Sequence, residues 1–336
     1  MKWVNIKNKS QLYTLKEAIL YNNLDGLFLP EKIPKIEESW LENISNYNRF
    51  DICFYVLKLF FSDDLSDNIL KDIIYNSFDF DCIMKCFDNN NYILELFHGP
   101  TLAFKDYGTR FMSNVIKYLN LDDIRIVTAT SGDTGAAVAN AYSFTDIPVT
   151  IFYPYKKISY FQRKQITTNT KNISCIEVYG DFDDCQQIVK DILKNNKNII
   201  TANSINICRL IPQIVYYFMS YSKLCKLGKK VNYIIPSGNL GNTTACIITQ
   251  LMGLPINQII AACNENNTFS KFLESGIYLP QKSKKTVSNA MDIGNPSNFE
   301  RIYYLFDGNI DKIRNKIQSY NVNDETTKKL FFNFIK

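Results

Sequence analysis

From residue 124 onward, short apolar runs alternate with helical patterns, and this alternation constrains the fold more than any other feature of the chain. Strand-like runs lie at 124–129, 149–153, 173–178, 198–201, 231–235 and 259–263. Helical patterns occupy 136–142 and 184–193, a stretch that begins near 205, and 244–252. Strands that alternate with helices form parallel sheets with helices packed on both faces. The sequence therefore predicts an α/β fold.

The first eighty or so residues have a different, mainly helical pattern. Ser10 can cap a helix over 12–21, and residues 24–30 are typical of a turn. Apolar residues spaced as on one face of a helix continue through 40–61 and 65–74. No catalytic constellation occurs here, so we expect this region to pack against the rest of the chain or to orient it.

The chain contains a single histidine, His98, among its 336 residues. A Ser-His-Asp hydrolase or a Cys-His protease would depend on that one side chain, and a metal site built from several histidines is excluded. We predict no metal site. General acid–base chemistry must come mainly from Lys, Tyr, Asp, Glu or a cofactor.

The composition excludes several other classes of protein. The 38 basic and 33 acidic residues are mixed along the chain, which gives no stripe for nucleic acid. No run of 18 apolar residues occurs, and the N-terminus lacks the apolar core of a signal peptide, so we predict no membrane span. Nine cysteines without a CxxC pair predict reduced thiols in a cytoplasmic protein.

Two segments that follow predicted strands are rich in small polar residues. The first, TATSGDTG at 128–135, offers hydroxyls and backbone N–H groups at the start of a helix, which suit a carboxylate or phosphate. In the second, PSGNLGNTT at 236–244, two glycines let the backbone approach an anion closely. Neither matches GxGxxG or GxxxxGK[ST]. Either loop alone could be a tight strand–helix turn, but two on successive units favour ligand binding.

A third segment, LFHGPTLAFKDYG at 96–108, places Lys105 in an apolar setting at a predicted helix start. Burial and the positive end of a helix both lower the pKa of a lysine and make its amine nucleophilic enough for a Schiff base. The alternative is a surface lysine with a half-buried stem. A reactive lysine, an anion-binding loop and a hydroxyl-rich loop together are the parts that pyridoxal phosphate needs.

Longer sequence motifs contain the lysine and the two loops, and these motifs resemble those of a known family. They are HGPTLAFKD (98–106), TATSGDTGAAVA (128–139), NSINICRLIPQIVYYF (203–218), PSGNLGN (236–242) and SNAMDIGNPSNFER (288–301). In these strings the chain resembles the threonine synthases, which are fold-type II pyridoxal-phosphate enzymes of the tryptophan synthase β-like superfamily. The resemblance runs in order over nearly the whole chain. HGPTLAFKD and AMDIGNPSN are its most specific strings.

The resemblance implies two open parallel-sheet αβα domains after a mostly helical N-terminal region. That region would span 1–85. The first domain, 86–205, would carry the Schiff-base lysine and the carboxylate loop, and the second, 206–336, the loop for the cofactor phosphate. The family pattern continues beyond the residues of this chain, so the resemblance also implies that the second domain lacks its C-terminal segment. Apolar sheet surface would then be exposed unless a partner chain covers it.

The resemblance further implies an activity. Threonine synthases are cytoplasmic carbon–oxygen lyases that convert O-phospho-L-homoserine and water to L-threonine and phosphate with pyridoxal 5'-phosphate. This is the last step of threonine biosynthesis. Two alternatives stay open: an inactive homologue that binds the cofactor or phosphorylated metabolites, and a related fold-type II lyase such as a threonine dehydratase. No oligomeric state is predicted.

The site residues that the resemblance implies fall into three groups. Lys105 would form the Schiff base and move protons, with Asp133 near the cofactor ring oxygen. The cofactor phosphate would bind to Gly238, Asn239, Leu240, Gly241 and Asn242. The substrate carboxylate would bind to Ser131, Gly132 and Thr134.

The substrate carries a phosphate of its own, so a second phosphate site is required. Arg209 is the candidate because its planar guanidinium binds phosphate through two hydrogen bonds. We expect it to act with Ser204 and Asn206, assisted by Lys157 or Ser159. A surface ion pair is the alternative for Arg209. His98 could contact this phosphate or stabilise the His-Gly-Pro turn.

Overall fold

The computed structural model describes residues 1–21, 26–88, 90–121, 123–168, 171–228 and 230–335. Its N-terminal part combines helices with a three-stranded antiparallel sheet, in the order β2-β1-β3. Its elements are β1 (Trp3–Asn5), β2 (Asn8–Tyr13), α1 (Leu15–Leu20), β3 (Phe28–Pro30), α2 (Glu38–Glu42), α3 (Arg49–Phe61) and α4 (Asp67–Ser77). A hairpin of β4 (Ile83–Asp88) and β5 (Asn91–Glu95) follows.

The sheet corrects the prediction of a helix over 12–21. Leu12 pairs with Val4 of β1, and helix α1 begins only after Thr14. Thr14 and Glu17 form a capping box, which is a stronger helix start than a lone serine at position 10. The turn predicted over 24–30 is also wrong at its end, where β3 pairs with β1. Leu24 and Asp25 lie outside the described residues.

The helical pattern over 40–61 is interrupted rather than continuous. Asn48 accepts hydrogen bonds from the backbone N–H groups of Phe50 and Asp51, so it begins helix α3 there. Helix α4 confirms the pattern predicted over 65–74, with Ser66 as its cap.

A four-stranded sheet follows, and its strands are all parallel, in the order β8-β7-β6-β9. Its elements are α5 (Lys105–Tyr118), β6 (Arg125–Ala129), α6 (Asp133–Tyr142), β7 (Val149–Pro154), α7 (Tyr160–Thr167), β8 (Ile173–Val178), α8 (Phe182–Lys194) and β9 (Ile199–Thr201). The strands predicted over 124–201 are confirmed within about a residue. This unit therefore has the parallel α/β organisation that the alternation indicates.

A second parallel sheet has the order β10-β11-β12. Its elements are α9 (Ile207–Leu210), α10 (Val215–Leu224), β10 (Val231–Pro236), α11 (Gly241–Met252), β11 (Ile256–Cys263), α12 (Thr268–Ser275), α13 (Phe299–Leu305), α14 (Ile310–Lys316), β12 (Ile317–Asn321) and α15 (Asp324–Ile335). The long helix predicted from 205 is divided by a 3₁₀ turn that contains Pro212, because proline cannot donate the helical hydrogen bond. On one face of this sheet, the side chains of Ile234 and Tyr320 are 70% and 63% exposed.

One large hydrophobic cluster joins the N-terminal region to helices that flank both sheets, through residues such as Phe61, Phe111 and Phe218. The division at 85/86 and 205/206 stays a prediction, and its first boundary falls inside β4. Among the described residues, no helix is both long and apolar enough to cross a bilayer. The carboxyl ends of β6 and β10 lead into the two polar loops, which line a common cavity.

Candidate active site

Lys105 lies at the first position of helix α5, as the sequence predicts. Its side chain is 11% exposed, and its Nζ lies 4.7 Å from the centre of the Phe104 ring. The same Nζ donates a hydrogen bond to Asp133 Oδ2 at 3.1 Å. This ion pair joins the start of helix α5 to the loop after β6, and the sequence did not indicate it.

The two carboxylate oxygens of Asp133 accept hydrogen bonds from different side chains, Lys105 and Gln162. The charge of Lys105 lowers the pKa of its carboxyl group, assisted by hydrogen bonds from Gln162 and Lys105 and opposed by burial. Gln162 Nε2 donates to Asp133 Oδ1 at 2.7 Å, and Gln162 Oε1 accepts from Asn289 Nδ2 at 2.8 Å. Gln162 is 8% exposed. It therefore links the first loop to the segment around residue 289.

The loop between β6 and α6 stabilises itself through Thr130. The Thr130 hydroxyl accepts hydrogen bonds from the N–H groups of Gly132 at 2.9 Å and Gly135 at 2.8 Å. Gly132 has a φ of +141°, and an added Cβ would lie 2.4 Å from the Gln162 side chain. Only glycine fits there. Ser131 and Thr134 line the cavity, whereas Gly132 lies behind Gln162.

The loop between β10 and α11 differs from the first loop in its backbone N–H groups. Within the part of the chain that the structure describes, the backbone N–H groups of residues 238–242 have no hydrogen-bond acceptor. Leu240 has a φ of +59° and buries its side chain in the core. A Cβ on Gly238 would lie 2.9 Å from Met291 Cα, so glycine is required for this close approach. Gly238, Asn239, Gly241 and Asn242 line the cavity.

Residues distant in the sequence hold the second loop in place. Asn298 donates to the Asn239 carbonyl oxygen at 2.8 Å and to Ser204 Oγ at 2.9 Å. Arg301, whose side chain is fully buried, donates to Asn298 Oδ1 and to the carbonyl oxygens of Phe28, Ser204 and Ile205. Burial lowers the pKa of Arg301 to about 9. Sequence reasoning gave these two residues no role, and their only signal was the SNAMDIGNPSNFER string.

Arg209 is buried at the wall of the cavity. Its Nη1 donates to the Ala202 carbonyl oxygen at 2.7 Å, whereas its Nε has no hydrogen-bond partner among the described residues. Burial lowers its pKa to about 10. No carboxylate forms an ion pair with it in the described part of the chain. The surface ion pair that was the alternative is therefore wrong, and a buried cation faces the cavity.

The cavity brings most of the predicted site residues together. Its polar lining comprises Lys105, Ser131, Thr134, Asn203, Ser204, Arg209, Gln213, Asn239 and Asn242. Phe104, Phe182, Met291 and Ile293 supply apolar walls. An amine, a backbone loop with free N–H groups and a buried guanidinium thus share one space.

Other predicted residues lie elsewhere. The Ser159 hydroxyl caps helix α7, and Asn206 caps helix α9 and donates to the Ile19 carbonyl oxygen. Lys157 lines a neighbouring cavity rather than the main one. His98 Nε2 lies 2.8 Å from Glu95 Oε2 and is not among the residues that line either cavity.

The open N–H groups at 238–242 and the close glycines fit a phosphate group, and the amine of Lys105 lies across the same cavity. A cofactor with a phosphate and an amine-reactive carbonyl therefore fits the residues present. The guanidinium of Arg209, which lines the same cavity, provides a second place for an anionic oxygen.

Comparison with known proteins agrees with this geometry. A family model described as pyridoxal-phosphate dependent enzyme matches residues 86–330, and one described as threonine synthase N terminus matches residues 2–78. The threonine synthase of Buchnera aphidicola subsp. Schizaphis graminum is 41% identical over 98% of this chain and 81% of its own length. That of Escherichia coli is 36% identical over 98% of this chain and 79% of its own length.

Solved structures give the same result. The crystal structure of threonine synthase from Escherichia coli superposes with a TM-score of 0.93 at 35% identity, and covers 98% of this chain and 79% of that one. Threonine synthase from yeast gives a TM-score of 0.87 at 32% identity, over 98% and 77% of the two chains. A pyridoxal-phosphate-bound threonine synthase from Brucella melitensis gives 0.87 at 29% identity, over 96% and 78%. The two-sheet α/β fold is therefore confirmed.

Proposed function

The chain belongs to the threonine synthase family of pyridoxal-phosphate-dependent enzymes, and we propose that it converts O-phospho-L-homoserine and water to L-threonine and phosphate. It would act as a carbon–oxygen lyase in threonine biosynthesis. A cytoplasmic location is part of the proposal, supported by nine cysteines that form no disulfide.

The observation that carries the proposal is the shared cavity. Lys105 lies on one side of it, the open loop at 238–242 on another, and Arg209 in its wall. Pyridoxal phosphate, when bound, supplies a carbonyl that reacts with an amine and a ring that accepts electrons from the substrate. Gly238, Asn239, Gly241 and Asn242 would hold its phosphate, and Leu240 would fix the turn from the core side.

Lys105 is the residue to which we assign the proton transfers. Its amine is almost buried and points to Asp133, which keeps it inside the cavity. An amine held there can take and return protons at the α- and β-carbon atoms of the substrate. One lysine in this role accounts for an active site whose described lining contains no histidine.

The two anionic ends of the substrate need separate partners. Ser131 and Thr134 line the cavity, and Thr134 would donate its hydroxyl to the carboxylate, joined by Ser131 when that hydroxyl turns from the Ala290 carbonyl oxygen. Arg209 and Ser204 line it too, and they are our candidates for the substrate phosphate. We give Gly132, Ser159 and Asn206 indirect roles, because a neighbouring side chain or a helix cap already occupies each of them.

The test is turnover by the purified chain supplied with pyridoxal phosphate and O-phospho-L-homoserine. We expect threonine and orthophosphate in equal amounts. Lys105→Ala should lower the rate by about a thousandfold or more, because the amine takes part in each proton transfer. Lys117→Ala, which removes the exposed lysine near the other end of helix α5, is the matched control and should retain full activity.

Two results would contradict the proposal. Cofactor absorbance that depends on Lys105 without release of phosphate would support the inactive homologue. Ammonia released from threonine or serine, with no action on the phosphorylated substrate, would support a dehydratase.

A further inference from the structure

A second cavity, open to solvent on one side, lies next to the candidate active site. Its lining comprises Ser131, Pro154, Lys157, Phe182, Ser283, Lys284, Lys285, Asn289 and Asp292. Ser131 and Phe182 also line the main cavity, so the two spaces adjoin. The predicted activity assigns only Lys157 and Ser131 of this set.

Three lysines give this cavity its positive charge. Among the described residues, Lys157, Lys284 and Lys285 have no carboxylate within ion-pair distance. Lys285 Nζ makes one hydrogen bond, to the Lys156 carbonyl oxygen at 3.2 Å. Lysines without a carboxylate partner that line one concave surface attract anions more strongly than the same charges spread over a convex one.

One carboxylate lines the cavity, but it already has several donors. Asp292 Oδ1 accepts from Thr286 Oγ1 at 2.7 Å, Asn264 Nδ2 at 2.9 Å and Asn266 Nδ2 at 3.1 Å. Its Oδ2 accepts from the Thr286 backbone N–H at 2.9 Å. Asp292 therefore fixes the fold of the segment that carries the lysines, and no lysine in the cavity pairs with it.

The wall between the cavities is made of residues from both parallel-sheet units. Asn289 Nδ2 donates to the Ser131 carbonyl oxygen at 2.9 Å, and Ser131 Oγ donates to the Ala290 carbonyl oxygen at 3.3 Å. Ser131 belongs to the loop to which we assign the substrate carboxylate. An anion in the second cavity would thus lie directly beside the substrate.

We propose that the second cavity is an outer binding site for a phosphate dianion, held by Lys157, Lys284 and Lys285. The dianion is either the phosphate group of the entering substrate or the orthophosphate that the reaction releases. This assignment rests on the proposed function for its biological ligand. Binding of inorganic phosphate itself requires no turnover.

The experiment is calorimetric titration of the cofactor-loaded protein with inorganic phosphate. The triple variant Lys157→Gln/Lys284→Gln/Lys285→Gln removes the charges and keeps side chains of similar length. We expect its affinity for phosphate at the lysine-dependent site to fall about tenfold or more, because three charge-assisted contacts are lost. Lys282→Gln, on the same segment but outside the cavity lining, should change the affinity less than about twofold.

Phosphate isotherms of the triple variant and the wild type that superimpose would overturn the proposal, since any phosphate would then bind elsewhere, as at Arg209. Kinetics separate the two sources of the dianion. A lower kcat/KM for the phosphorylated substrate with an unchanged kcat indicates the entering substrate, and weaker inhibition by orthophosphate indicates the product. Lysine-dependent phosphate binding by a chain that forms no threonine would keep this proposal and reject the proposed function.

Discussion

The two loops that line the candidate active-site cavity differ in how their backbone N–H groups are used. In the loop after β6, the Thr130 hydroxyl accepts the N–H groups of Gly132 and Gly135, while Gln162 and Asn289 contact the loop from outside. The loop after β10 is held from outside by Asn298 and, through it, by Arg301. Both follow a parallel strand and lead into a helix, which is where α/β folds bind ligands.

This difference determines what each loop can bind. The Thr130 hydroxyl takes up two backbone donors of the first loop, which also offers the Ser131 and Thr134 hydroxyls at the cavity. External support leaves the backbone donors at 238–242 free, so the second loop can surround a phosphate with N–H groups. A strand–loop–helix motif alone therefore does not define the ligand; the donors that it leaves free do.

Removal of the external support should have the largest effect. In Arg301→Met, the buried acceptors that Arg301 serves lose their donor, at a cost of about 1–3 kcal/mol for each group left unsatisfied. We expect the free energy of unfolding in urea to fall by about 3 kcal/mol or more, with cofactor affinity falling in parallel. Arg301→Lys keeps the charge and some of the donors, so its free energy of unfolding and its cofactor affinity should lie between those of the wild type and of Arg301→Met. An unchanged cofactor affinity in Arg301→Met would show that the second loop supports itself.

A side chain added to the loop after β10 should have the next largest effect. A side chain at position 238 would meet the Met291 backbone at 2.9 Å, so Gly238→Val must displace the loop. We expect the affinity for pyridoxal phosphate to fall about a hundredfold, because the N–H groups no longer converge on the phosphate. Gly253→Ala is the control at the other end of helix α11, where an added Cβ meets no atom within 4 Å. Its φ of +116° should cost stability but not cofactor affinity.

Removal of the internal hydroxyl should have a smaller, local effect. Thr130→Val leaves the buried Gly132 N–H without an acceptor and leaves the Gly135 N–H only its contact to the Gly132 carbonyl oxygen at 3.2 Å. We expect it to lower the free energy of unfolding by about 1–3 kcal/mol. Thr130→Ser keeps the hydroxyl and should lose less. Cofactor affinity should be nearly unchanged in both variants, as measured by titration of the cofactor absorbance. An equal loss of cofactor affinity in Thr130→Val and Gly238→Val would remove the distinction between the loops.

The sequence revealed both loops but not the contacts that hold them in place. The position of Lys105 at a helix start and the strands before both loops follow from local patterns, which short segments carry. Arg301 acts on residues about a hundred or more positions away, and no local pattern records such a contact. Leu12 was assigned to a helix because its pairing with Val4 depends on a strand that the sequence reasoning did not recognise. Pro212 was visible, and the helix break there was predictable from it.

The smallest expected effect concerns Asp133, the one charged side chain of the first loop. The charge of Lys105 holds its pKa below the usual value of 3.8, so the folded state binds a proton less readily than the unfolded state. The stabilisation is therefore complete above about pH 4 and disappears as the pH falls through the folded-state pKa. Without cofactor, Asp133→Asn should be less stable than the wild type by about 1 kcal/mol or less at pH 7, with the difference shrinking toward pH 3. Urea unfolding at both pH values measures this, with the exposed Asp146→Asn as the control, and a difference that grows on acidification would show that Lys105 does not hold the charge of the loop.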